Sequence, residues 1–204
     1  MQKIKNIIFD LGGVFLEVDY FKTQDAFIDL GVTHFNQLYT QQHASPLFEL
    51  LETGKITPEA FYEQLRQVSG INLSDEQIRS AWCAMLGKFY VDALEWLGGI
   101  GGRFNIYLFS NTNKIHEDAF KIILKEQTGF NSLSHYFIKD YYSHTMGLRK
   151  PYVESYQYIL KEQNLNPEET MFIDDSIKNV EGAISAGLHG LFLELPRKVT
   201  SVEL

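Results

Sequence analysis

Three short apolar runs in this chain each stop on polar residues. Ile7-Ile8-Phe9 runs into Asp10, Ile106-Tyr107-Leu108-Phe109 into Ser110-Asn111-Thr112, and Met171-Phe172-Ile173 into Asp174-Asp175. Runs of this length and composition read as buried strands. In a doubly wound α/β sheet, ligands bind outside the carboxyl ends of the strands. Three strands that each deliver polar groups to that edge describe one site. Asp10 is followed by Leu11-Gly12-Gly13-Val14. A carboxylate ahead of two glycines is a poor core element, and the glycines let the backbone turn tightly and approach a ligand.

The C-terminal half alternates strands and helices. Strands are expected at Ile106–Phe109, Phe137–Ile138, Met171–Ile173 and Leu191–Leu193. Between them fall helices at Lys114–Lys125, at Tyr152–Gln163 just after Pro151, and at Asn179–Ala186, closed by Gly187 as a C-cap. Such alternation implies a parallel sheet covered by helices. The Gly98-Gly99-Ile100-Gly101-Gly102 run precedes a strand and has no following Gly-Lys-Ser/Thr, so it reads as a helix-to-strand loop, not a phosphate loop.

The stretch from Asp10 to Ser110 breaks the rhythm. A βαβ unit takes roughly 30 residues, and about 100 separate these two strand ends. The surplus looks helical. A helix at Glu49–Leu51 ends in Gly54. Thr57-Pro58-Glu59 opens the next with an N-cap and a proline at the first position. Ser74-Asp75-Glu76-Gln77 is a capping box ahead of Ile78–Leu86. The expected organisation is a Rossmann-like parallel sheet core (residues 1–16 and 89–204) with an inserted all-helical cap (residues 17–88). The helix around Val91–Leu97 returns the chain to the core. Because the insertion leaves at the carboxyl edge beside Asp10, it is placed to act as a lid, with turns around His43 and Phe48 expected to face the site.

Composition narrows the partners. With 26 acidic against 18 basic side chains the formal charge is −8, and no long basic run occurs. Nucleic acid and anionic membranes are therefore not expected partners, and any phosphate site must be built locally. Cys83 is the single cysteine, so no internal disulfide or thiol-rich metal site is expected. The N-terminal decapeptide lacks a signal-type apolar run, and no stretch approaches the ~20 residues that span a bilayer. The expected location is cytoplasmic. Six histidines show neither HxH nor HExxH spacing, and the aromatics are expected to fill the core and lid.

Each polar strand end has a candidate chemistry. Asp10 is a candidate nucleophile, since a carboxylate can attack phosphorus or carbon to form an acyl-type intermediate that water opens. The hydroxyl, amide and backbone N–H groups of Ser110, Asn111 and Thr112 can cradle a phosphoryl oxygen. Lys150, in Gly147-Leu148-Arg149-Lys150-Pro151, is held in a turn by the following proline. Its compact ammonium suits the neutralisation of a phosphoryl group and a charged nucleophile. Arg149 reads as a surface or structural residue. Asp174 and Asp175 would repel each other in a dry site without a cation, and hard oxygen ligands beside phosphate suit Mg²⁺.

These segments, with Glu52-Thr53-Gly54-Lys55-Ile56-Thr57 and Asp174-Asp175-Ser176 followed by Asn179-Val180-Glu181-Gly182-Ala183, resemble the haloacid dehalogenase (HAD) superfamily of aspartate-nucleophile hydrolases almost end to end. The wording is most similar to the alpha-glucose-1-phosphate phosphatase-like branch with a helical cap. The resemblance implies a Mg²⁺-dependent phosphomonoesterase acting on a small phosphorylated metabolite, sugar phosphates included, through an aspartyl-phosphate intermediate. It implies Asp10 as nucleophile, Ser110 and Asn111 as phosphate ligands, and Lys150 as the group holding phosphoryl and Asp10 together. Asp175 would bind the metal directly, Asp174 would lie close or act through water, and Gly12 would offer its carbonyl.

One position departs from the family pattern. Most family phosphatases carry a second aspartate two residues after the nucleophile, as general acid and base; here that residue is Gly12. Sugar 1-phosphates, whose leaving groups are more acidic than plain alcohols, would tolerate the loss best. One alternative is a catalytically weak or inactive phosphate-binding protein that has lost turnover with the second aspartate; the other is a dehalogenase in which Asp10 attacks carbon without a metal, against which Gly12 and the Asp174-Asp175 pair speak.

Overall fold

The computed structural model describes residues 3–40 and 43–204, the side chains of 43 and 44 excepted. Its centre is a five-stranded, all-parallel sheet. The strands are β1 (Asn6–Phe9), β6 (Asn105–Ser110), β7 (Lys139–Tyr142), β8 (Thr170–Asp174) and β9 (His189–Phe192), in the spatial order β7-β6-β1-β8-β9. The chain builds outward from β1 through β6 to β7. It then returns to the other side of β1 for β8 and β9. The direction of winding therefore reverses beside β1, where open α/β sheets leave a ligand crevice.

Alternation within each strand explains why both faces are covered. Ile7 and Phe9 pack into one apolar cluster with Ile106, Leu108 and Ile173, while Ile8 packs into the other with Tyr107, Phe109 and Phe172. This is the two-residue period of a pleated strand. Helices α6 (Val91–Ile100), α7 (Lys114–Thr128), α8 (Ser143–Met146), α9 (Val153–Glu162) and α10 (Ile177–Ser185) complete the core. Asn113 caps α7 by accepting from the His116 N–H.

Between β1 and α6 the chain leaves the sheet on a two-stranded antiparallel stem, β2 (Leu16–Val18) with β5 (Leu86–Phe89). Above the stem lie α1 (Tyr20–Asp29), α2 (Phe35–Leu38), α3 (Pro46–Glu52), α4 (Pro58–Ser69) and α5 (Asp75–Cys83). A hairpin of two-residue strands, β3 (Tyr39–Thr40) and β4 (His43–Ala44), interrupts them. Thr57 and Ser74 cap α4 and α5, the latter with both bonds of a capping box. This unit has its own core of Phe27, Phe35, Phe48, Phe61, Leu65 and Trp82.

Several boundaries differ from the sequence expectation. The strand expected at Phe137–Ile138 forms two residues later. Phe137 is buried as a loop residue, and Lys139–Tyr142 pairs with β6, its apolar burden carried by Tyr141 and Tyr142. The helix expected to run to Leu86 stops at Cys83, because Leu86 pairs with Val18 across the stem. Gly98 and Gly99 belong to the last turn of α6, not to the loop after it. Phe48 is fully buried among Phe35, Phe61 and Trp82 and faces the cap core, not the site. The side chain of His43 lies outside the described residues.

The cap sits on the core along two seams. Trp82 of α5 stacks on His116 of α7 at 4.5 Å, and the imidazole donates from Nε2 to the Trp82 carbonyl at 2.9 Å. On the other side, Gly54 has a φ of 64°, and a Cβ there would lie 2.1 Å from the His144 carbonyl oxygen. Only glycine allows so close an approach of two backbones. Beside it Arg149 pairs with Glu52 at 2.9 Å, and the Tyr152 hydroxyl donates to Glu49 at 3.3 Å.

Candidate active site

The polar strand ends meet at the reversal beside β1. Asp10 follows β1, Asp174 ends β8, and Lys150 reaches between them from the loop before α9. The lysine Nζ donates to Asp10 Oδ1 at 2.5 Å and to Asp174 Oδ2 at 2.7 Å. It is 1% exposed, and its ammonium lies 5.3 Å from the ring centres of both Phe109 and Phe172. Asp174 is completely buried and also accepts from the Ser176 N–H and the Asn179 amide.

Asp175 completes the cluster. Ligand oxygens of Asp10, Asp174 and Asp175 lie within 4.8 Å of one another. Gly13 makes room for it: its φ is 71°, and a Cβ there would fall 2.2 Å from Asp175 Oδ2.

Three carboxylates and one ammonium leave the buried cluster with excess negative charge. Burial, followed by repulsion from Asp174, pushes Asp10 up to about 8, against the opposing pull of Lys150. Burial and Asp174 likewise push Asp175 up to about 6. Burial alone would lower Lys150, but Asp10 and Asp174 more than offset it and its pKa is raised. A site of hard oxygen donors that resists holding its own charge fits a small divalent cation.

The Ser110-Asn111-Thr112 triplet lies at the same edge. The amide of Asn111 clasps the Lys150 backbone, accepting its N–H at 2.9 Å and donating to its carbonyl at 3.0 Å. The same amide thus fixes the loop that carries the lysine, with one of its two N–H donors. Thr112 exchanges two 2.9 Å bonds with the Ser143 hydroxyl, which ties the triplet to α8. Ser110 is buried. Among the described residues, the N–H groups of Leu11, Gly12 and Asn111 donate to no protein acceptor. Backbone donors left open at a strand end are available to an anion.

Sequence reasoning missed the residues above this floor. Glu52 is 4% exposed, accepts from the Tyr39 hydroxyl at 3.1 Å and pairs with Arg149. Burial is the largest influence on it and raises its pKa. Tyr20 lies closer in: burial first, then the charges of Asp175, Asp10, Glu52 and Asp174, push its phenol far above the ordinary tyrosine range. The Glu52-Thr53-Gly54 segment was the available signal for the first residue; no local pattern marks Tyr20.

An α/β sheet with this acidic crevice and a helical cap defines a hydrolase of the aspartate-centred type. The chain matches the profile of haloacid dehalogenase-like hydrolases over residues 4–187 and belongs to that family. It is 32% identical over 181 residues to the D-ribitol-5-phosphate phosphatase of Bacteroides thetaiotaomicron, covering 87% of this chain and 85% of that one. It is 31% identical over 195 residues to a sesquiterpene phosphatase of Aspergillus oryzae, covering 93% and 89%. Among solved structures, a HAD family enzyme of B. thetaiotaomicron, an alanine variant in complex with magnesium and inorganic phosphate, superposes with a TM-score of 0.87. That match has 29% identity and covers 96% of each chain. No helix among the described residues is long and apolar enough to cross a membrane.

Proposed function

We infer that this protein is a Mg²⁺-dependent phosphomonoesterase acting on a small phosphorylated metabolite, a sugar or sugar-alcohol phosphate. The observation that carries this is the buried cluster of Asp10, Lys150, Asp174 and Asp175 at the reversal beside β1, with open backbone N–H groups around it. The similarity to a D-ribitol-5-phosphate phosphatase supports the substrate class. In this reading residues 1–16 and 89–204 are the catalytic core and 17–88 the cap that selects substrate.

Asp10 is the nucleophile. One carboxylate oxygen attacks phosphorus, the ester oxygen leaves, and water opens the aspartyl phosphate. Lys150 keeps Asp10 oriented and offsets charge on the phosphoryl oxygens. Asn111 acts through Lys150 by fixing its backbone, and offers its own N–H to phosphate beside Ser110 and Thr112. Asp10, Asp174, Asp175 and the Gly12 carbonyl would hold Mg²⁺, which when bound neutralises the excess negative charge of carboxylates and phosphate.

The test is phosphate release across a panel of sugar and polyol phosphates, with Mg²⁺ and with EDTA. Mg²⁺-dependent release from at least one ester is expected. Turnover of a haloacid in chelated samples would move the chemistry to carbon, and release from none would leave a phosphate-binding protein.

A further inference from the structure

A polyol leaving oxygen must collect a proton as its bond to phosphorus breaks, and Gly12 has none to give. The groups around Asp10 are few. Lys150 is committed to two carboxylates. Tyr156 senses Asp174 and Asp10, but its hydroxyl donates to the Asn179 carbonyl at 2.7 Å. Tyr39 donates to Glu52. Tyr90 senses Glu17 and Asp175 but not Asp10. Glu52 is engaged by the Tyr39 hydroxyl and by Arg149. Tyr20 remains: its hydroxyl lies in the field of Asp175, Asp10, Glu52 and Asp174, and among the described residues it donates to no acceptor.

The backbone brings Tyr20 to the right side of the site. A Cβ on Gly12 would meet Val18 Cγ2 at 3.2 Å, so Val18 borders the space that a side chain at position 12 would take. Tyr20 stands two residues beyond Val18 along extended backbone, where residues two apart share a face. Asp19 fixes the junction: its N–H donates to the Met85 carbonyl at 2.9 Å, and its carboxylate caps α1 by accepting from the Phe21 N–H at 3.1 Å. The Tyr20 ring leans on Tyr39, with centres 6.2 Å apart.

We propose that Tyr20, opening the first helix of the cap, delivers the proton to the leaving oxygen of the phosphate ester. The assignment rests on the phosphomonoesterase function above. As Asp10 bonds to phosphorus, the ester P–O bond breaks and its electron pair stays on the leaving oxygen. That oxygen takes the phenol proton and departs as an alcohol, leaving tyrosinate. Water then attacks phosphorus, the bond to Asp10 breaks, and the proton lost by water returns to Tyr20. Ester and water become alcohol and phosphate, with Asp10 and Tyr20 restored.

The experiment compares Tyr20→Phe with wild type on D-ribitol 5-phosphate, whose leaving oxygen needs a proton, and on 4-nitrophenyl phosphate, whose leaving oxygen does not. General-acid catalysis contributes about 10²–10⁴-fold. The expected result is a loss of that size in kcat/KM on the polyol ester, with the aryl ester within about threefold. An unchanged melting temperature and inorganic-phosphate affinity establish that the variant is folded. Equal losses on both esters, or none on either, would overturn the role of Tyr20 while the phosphatase function stands. Wild type active only on the aryl ester would overturn it too, since no donor would then be at work. Wild type active on neither would remove the function itself. Should Tyr20→Phe not fold, 3-fluorotyrosine at position 20 decides: a more acidic phenol should change the ratio of polyol-ester to aryl-ester turnover at a fixed pH, and an unchanged ratio overturns the proposal.

Discussion

Replacing Asp10 with asparagine should destroy turnover and yet stabilise the metal-free protein. The amide oxygen of the substituted side chain can still accept from Lys150, so the hydrogen bond survives while one crowded charge disappears. Asp10 is raised from 3.8 to about 8. Below 3.8 the carboxyl is neutral in both folded and unfolded chains and nothing is lost. Between 3.8 and about 8 the folded state holds a proton that the unfolded state has released, so stability falls steadily as pH rises and the loss is complete above 8. A shift of roughly four units corresponds to at most about 6 kcal/mol. Asp10 does not titrate independently of the charges beside it, and half of that, about 3 kcal/mol, is the expectation. For a chain of this size 3 kcal/mol is about 6–12 °C in melting temperature. Thermal unfolding in EDTA should therefore place Asp10→Asn about 6–12 °C above wild type near pH 8.5, and the gap should shrink at pH 5. Added Mg²⁺ should close the gap by stabilising wild type preferentially. Phosphate release by the variant should fall below about a tenth of wild type. A variant less stable than wild type in EDTA at pH 8.5 would show that the cluster does not carry uncompensated charge, and with that the argument for a cation would fail.

Two further outcomes follow from the site and its seams. Gly13→Ala should cut Mg²⁺-dependent activity at least about tenfold, because the new methyl group must displace Asp175 from a cluster whose ligands are set by outer contacts; activity and Mg²⁺ titration of the variant check this. His116 is lowered to about 4 by burial, so it folds neutral and contributes stability that is lost as pH falls from about 6.5 through 4. His116→Gln should flatten the wild-type stability profile across that window in urea titrations, with little change in slope above pH 7.

The floor of the site was legible because its residues break a pattern. Asp10 and Asp174 are carboxylates at the ends of apolar runs, and no requirement of core packing puts them there. Lys150 was legible through the proline after it. The walls were not, because their meaning depends on contacts between distant residues. Nothing near Asn111 says that its amide binds a loop 39 residues away. Arg149 and Glu52 are 97 positions apart and ordinary in their own neighbourhoods. Strand β7 hid for a different reason: it lies at an edge, opens with Lys139-Asp140, and buries tyrosines in place of aliphatic residues. Phe48, by contrast, was visible as an aromatic, but helical position alone could not say whether it faces the site or its own cap.

The strand order has a further consequence for how the molecule is made. β1 is synthesised first and ends up in the middle, paired on one side with β6 and on the other with β8. Both partners lie far downstream, beginning at Asn105 and Thr170. Until then the apolar Ile7-Ile8-Phe9 segment has no native neighbour, while the cap helices have already been made and carry their own apolar cluster. Pairings this distant in sequence form slowly and leave strand edges exposed to other chains. Asp10 is thus made before either strand that will flank it, and its surroundings become complete only when the fourth strand of the sheet has been delivered.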